Sequence, residues 1–162
     1  MKKILILTAV LSWFVLISGS ILVLTGLLMA TASPGLLGLL TGVFLTSSIV
    51  LHSYAAIQLR KSILRPTIPL GRQTPMGIRF MGFASLFFAL FNFNNALYTL
   101  QHTGQIAKQI DLPAQYKNLP VNINHLLQAA AIFSFVLSIC IILNVLINLW
   151  LLRIYQAKSR VG

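Results

Sequence analysis

The sequence predicts an all-α integral membrane protein: a four-helix bundle running up-down-up-down, with both termini in the cytosol. Three observations predict it. The 162 residues are 57% hydrophobic and only 8% charged, and thirteen formal charges are too few to coat a soluble domain of this size. From Ile4 to Leu59 there is no Asp, Glu, Lys or Arg, and the sole acidic residue of the chain is Asp111. Ten of the twelve Lys and Arg residues fall in three short segments that flank apolar stretches, the pattern expected of loops held on one side of a bilayer.

Four stretches reach the roughly 20 helical residues that cross a hydrocarbon core. The first is about 4–30 and opens on Lys2-Lys3. With Ala30-Thr31-Ala32 it imitates a signal peptide and its cleavage site, but a signal's apolar region is only about 7–15 residues, so an uncleaved span is expected. Ala32-Ser33-Pro34-Gly35 follows, a turn signal that folds the chain back. The second span is about 36–59. A basic loop, 60–79, holds Pro66, Pro69, Pro75, Gly71 and Gly77 and is not expected to form one helix. The third span is about 80–100. A polar outer loop, 101–125, contains Asp111-Leu112-Pro113, which reads as a helix start, and Asn122 or Asn124 is placed to cap the last span. That span is about 126–152, and the whole chain, 1–162, reads as one four-span domain.

If the four spans alternate, Lys2, Lys3, Arg60, Lys61, Arg65, Arg72, Arg79, Arg153, Lys158 and Arg160 share one side, leaving Lys108 and Lys117 opposite them. The positive-inside rule makes that side cytosolic and the expected location a cell membrane, the bacterial inner membrane being the simplest. Arg60, Lys61, Arg65, Arg72 and Arg79 are candidates for holding anionic lipid head groups, each contributing about 1 kcal/mol near a charged surface; serving only as topology determinants is the simpler reading. The net charge of +11 does not point to nucleic acid, because the basic residues flank apolar spans rather than line a solvated face.

Inside the spans, Gly38 and Gly42 make a Gly-x-x-x-Gly that Thr46 extends, a pattern that lets two helix backbones approach closely. Contact with Ser12, Gly19 and Gly26 of the first span is the simpler reading, since a short hairpin sets the two helices side by side; a homodimer seam is the alternative. Phe80, Phe83, Phe87 and Phe91 share one face of the third span, by default a lipid or helix-facing surface. Trp13 lies about 15 Å along its helix from Lys3, and its indole N–H is expected to seek an internal acceptor.

His52 is the imidazole well inside a span, and an ionisable group there is a functional-site candidate. The plainer expectation is a neutral ring bonded to a neighbouring helix. Asn144 and Asn148 are i and i+4 on one face of the last span, and Asn144 lies near the level of His52, so a His52–Asn144 contact is expected. Asn92 and Asn95 sit one turn apart in the outer half of the third span. They read as interhelical fasteners or, with the serines, as a polar path.

The sequence excludes more chemistry than it suggests. No Glu exists, so a proton-coupled intramembrane carboxylate is missing from every span. Paired carboxylates, a Ser-His-Asp constellation and a phosphate-cradling Gly-Lys motif are lacking too. The lone Cys140 supports neither a disulfide framework nor a cysteine zinc site, and His102 with His125 offers too few ligands for a metal. No cofactor and no metal are expected. The function that fits is a non-enzymatic accessory, scaffold or assembly subunit, whose partners are the bilayer, anionic head groups and other membrane proteins or a second copy. A transport or permeation subunit using Asn92, Asn95 and His52 is the first alternative. A quinone-binding or other membrane enzyme subunit using His52 is the second.

Overall fold

The computed structural model describes residues 2–30, 36–65, 67–109 and 122–159. They form α1 (Lys2–Ala30), α2 (Leu36–Leu64), a three-residue α3 (Thr74–Met76), a π turn (Gly77–Met81), α4 (Gly82–Gln109) and α5 (Ile123–Ser159), with no strand among the described residues. Four stretches, Lys3–Leu28, Gly42–Leu64, Thr74–Gln109 and Ile123–Ala157, are long and apolar enough to cross a membrane. The chain is therefore an all-helical protein with four candidate membrane spans.

The helices outrun the apolar stretches that announce them. The basic loop read as 60–79 shrinks to 65–73: Arg60 and Lys61 belong to α2, and Arg79 lies in the π turn. Helical hydrogen bonds need no hydrocarbon around them, so α2 continues until Pro66, which disfavours helical geometry at Arg65. Thr74-Pro75 restarts the chain, with Pro in the first helical turn, where its missing N–H costs nothing. On the other side α4 continues through Gln109, with a break at His102 (φ −117°, ψ 20°). Asn122 caps α5, its Oδ1 accepting the Asn124 backbone N–H at 3.0 Å. The turn at 32–35 and the helix start at 111–113 lie outside the described residues.

Side-chain size sorts the bundle. Ile78, Gly82, Ser85, Ala89, Ala96 and Thr103 are the buried residues of the π turn and α4. They recur at intervals of three, four or seven positions and so form one narrow face. Phe80, Phe83, Phe87 and Phe91 cover the opposite side and point outward, Phe83 being 74% exposed. In water this would be an inverted arrangement. In lipid the outside is as apolar as the inside, so association rests on close approach and small residues belong in the seam. Two other phenylalanines of α4 are half-buried: Phe93 stacks on Phe135 of α5 with centroids 4.8 Å apart, and Phe88 packs against the apolar core.

Two apolar clusters hold the bundle. One gathers Leu5, Ala55, Leu59, Ile78, Leu151 and Leu152, joining the start of α1 and the π turn to the ends of α2 and α5. The other gathers Val15, Ile49, Ala89, Leu137, Ile141 and Val145. Since Arg60, Arg79 and Arg153 each directly follow a member of the first cluster, and Lys3 precedes one by two residues, that end of the bundle is its basic end.

Candidate functional site

Between the two clusters each helix contributes polar or very small residues: Ser12 from α1, His52 and Ser53 from α2, Gly82 and Ser85 from α4, and Asn144 and Asn148 from α5. All of them are buried. The Ser12 hydroxyl donates to Asn144 Oδ1 at 2.8 Å. Asn148 Nδ2 donates to the same oxygen at 2.9 Å and to the Asn144 backbone carbonyl at 2.7 Å. With two donors aimed at it, that atom must be the amide oxygen, which leaves Asn144 Nδ2 buried without a partner.

His52 is 1% exposed, and neither ring nitrogen has a hydrogen-bond partner. No hydrogen bond joins His52 to Asn144, which engages Ser12 and Asn148. The imidazole packs against Gly82, where a Cβ would stand 3.0 Å from His52 Nδ1 and 3.2 Å from Val145 Cγ1. Only glycine accepts that approach without a shift. The Ile78 carbonyl of the π turn interacts with the ring but lies outside hydrogen-bond geometry. Gly77, which opens the turn, has its Cβ position 3.4 Å from Ala55 Cβ. The wide turn thus sits where α2 presents His52 and Ala55, a placement that fits the frequent association of π bulges with special sites. Ser53 Oγ and Arg60 Nε are likewise buried and unpartnered.

A second polar node lies farther along α4. Asn92 Nδ2 donates to the Ser134 carbonyl at 3.1 Å and to Ser138 Oγ at 2.9 Å, while the Ser138 hydroxyl donates a hydrogen bond to the same carbonyl at 2.8 Å. Asn92 therefore ties α4 to α5. Asn95 is exposed and does not join it, because three residues along a helix turn the side chain about 60° from that seam. Between these nodes Ser48 and Ser85 bring their hydroxyls to 3.3 Å, each also aimed at a carbonyl of its own helix.

The other sequence candidates scatter. Gly42 is exposed with nothing within 4 Å of its Cβ position, and Thr46 bonds the Gly42 carbonyl of its own helix; the Gly38 side of the motif lies outside what is described. Gly19, one of the α1 residues expected in that contact, instead approaches Ile49 at 3.2 Å and Val50 at 3.3 Å. Trp13 is 52% exposed and finds no internal acceptor among the described residues. Arg79 Nη2 donates to Gln156 Oε1 at 2.9 Å, bridging the π turn to α5, whereas Lys61, Arg65 and Arg72 are exposed. His102 stacks on Tyr98 and contacts its carbonyl at 3.0 Å, and His125 is exposed. No group of three metal-ligating side chains occurs among the described residues. Sequence reasoning missed Ser53, Gly82 and the π turn. A glycine three residues after Arg79, amid phenylalanines, was the available signal for Gly82; nothing local announced the turn.

Comparison with known proteins finds no matching family model, no matching curated protein and no matching solved structure.

Proposed function

We propose that this chain is a small multi-pass inner-membrane protein, a non-enzymatic accessory, scaffold or assembly subunit that packs against other membrane helices. In this reading the four spans alternate up-down-up-down, and the basic end bearing Lys3, Arg60, Arg79 and Arg153 faces the cytosol together with both termini, as the positive-inside rule requires.

Gly42 carries the proposal. Gly19, Gly77 and Gly82 each meet a neighbouring helix within the bundle, whereas Gly42, in its Gly-x-x-x-Gly with Gly38, faces open space on the exterior. A small residue on an outer helix face is where another helix can come close. The permeation alternative has less support, because Asn95 points outside, Asn92 is bound to α5, and His52 is buried against Gly82. The same burial leaves a quinone ring little room at the imidazole.

Purification from native membranes in mild detergent tests the proposal. A stoichiometric partner is expected, and Gly42→Leu should lower its recovery at least fivefold while leaving the chain's own yield unchanged. A chain that purifies alone, or only with copies of itself, overturns it.

A further inference from the structure

A shallow groove of about 370 Å³ runs between α1 and α5, lined by Ile4, Leu7, Leu146, Ile147 and Trp150. Every lining residue is apolar, and the groove lies on the exterior of the bundle rather than at its centre. Spacing along the two helices puts a cation from each at one end of it. Lys3 precedes Ile4 and is four residues from Leu7, so it shares the face of Leu7. Arg153 is three residues after Trp150 and seven after Leu146, continuing their face. Both cations are exposed, and no salt bridge occupies either among the described residues.

The depth matches one leaflet. Leu146 lies about 10 Å along α5 from Arg153 and Leu7 about 6 Å along α1 from Lys3, within the roughly 15 Å half-thickness of a hydrocarbon core. Trp150 falls between cations and apolar floor, at the level where indole rings settle near head groups. A neutral lipid would fill the trough but leave both cations without a counter-charge. A soluble anion would meet the cations but leave the trough unused.

We infer that this groove binds an anionic phospholipid, with one acyl chain along Leu7 and Leu146 and the phosphate between Lys3 and Arg153. The site is distinct from the α2 surface at Gly42 and does not depend on the accessory role. It differs also from the Arg60–Arg79 segment, because its two cations come from the first and last helices.

Trp150 is the reporter. The chain has two tryptophans, so Trp13→Phe leaves Trp150 alone and Trp150→Phe leaves Trp13, which is on the exterior farther along α1. The full chain is reconstituted in phosphatidylcholine vesicles containing equal fractions of either brominated phosphatidylglycerol or brominated phosphatidylcholine. Trp150 should be quenched at least twofold more by the anionic lipid, and Trp13 equally by both. In Lys3→Gln/Arg153→Gln the excess at Trp150 should vanish. Leu146→Phe, which fills the floor and keeps both cations, should lower it as well, so the test does not hang on one variant's folding. Equal quenching of Trp150 by the two lipids overturns the proposal. So does an excess that survives both variants, or a Trp150 that no lipid quenches because a protein helix covers the groove.

Discussion

The layer around His52 and the node around Asn92 use the same kinds of side chain, amides and hydroxyls in the seams between membrane helices, yet they are finished differently. At Asn92 the amide reaches across to Ser134 and Ser138, and the Ser138 hydroxyl in turn donates a hydrogen bond to the Ser134 carbonyl. Around His52 the Ser12–Asn144–Asn148 chain is made, but four buried atoms beside it, His52 Nδ1 and Nε2, Ser53 Oγ and Asn144 Nδ2, have no partner. One node fastens; the other combines fastening with close contact against glycine. The difference teaches that a polar residue in a membrane helix is not by itself an interhelical hydrogen bond. Helix separation decides which it becomes, and at Gly82 the helices approach so closely that steric fit dominates.

The largest effect is therefore expected from size rather than from lost hydrogen bonds. Gly82→Leu drives atoms into His52 and Val145 and should cost about 3 kcal/mol, the upper range for overpacking, read as a lowered unfolding midpoint in detergent; an unchanged midpoint would show that α2 and α4 can separate freely. Asn144→Ala removes the acceptor shared by Ser12 and Asn148 and should cost about 1.5 kcal/mol, near the top of measured interhelical values in membranes. A double-mutant cycle with Ser12→Ala should show coupling, and additivity would mean the 2.8 Å bond contributes nothing. Asn92→Ala should cost less, about 0.6 kcal/mol, because Ser138 keeps its bond to Ser134; a loss equal to that of Asn144→Ala would erase the contrast between the two nodes. His52→Leu, of similar volume, should change stability by less than about 1 kcal/mol, with either sign, since no hydrogen bond is forfeited. A larger loss would reveal a partner for the imidazole.

Much of the fold was legible from charge and length. The uncharged stretch from Ile4 to Leu59, broken at Pro34-Gly35, is too long for one span, and the grouping of basic residues marks the ends of the others. Asn122 as a helix cap was also readable, since capping is a local interaction between a side chain and the next turn. The site was less legible. His52, Asn144 and Asn148 stood out as polar residues in apolar runs, and depth along the helix placed His52 and Asn144 at similar levels. Which of them bond to each other depends on how the helices rotate about their axes, and hydrophobic periodicity is weak when both the outside and the inside are apolar. For this reason the sequence groups Asn95 with Asn92, predicts an inward Trp13, and pairs Gly19 with the Gly38–Gly42 motif rather than with Ile49 and Val50.

The sequence by itself determined that the chain is helical and carries four stretches suited to a bilayer, because those properties follow from the cost of placing charge and unpaired backbone in hydrocarbon; the helices themselves run on past those stretches, α4 by nine residues to Gln109. Only the tertiary structure decided the rest. It put Ser12 on Asn144, left His52 against Gly82 without a hydrogen bond, turned Phe83, Phe87 and Phe91 outward, and opened an apolar groove between α1 and α5. Those outcomes depend on helix rotation and on which small residues allow close approach, and neither is a property of any single span.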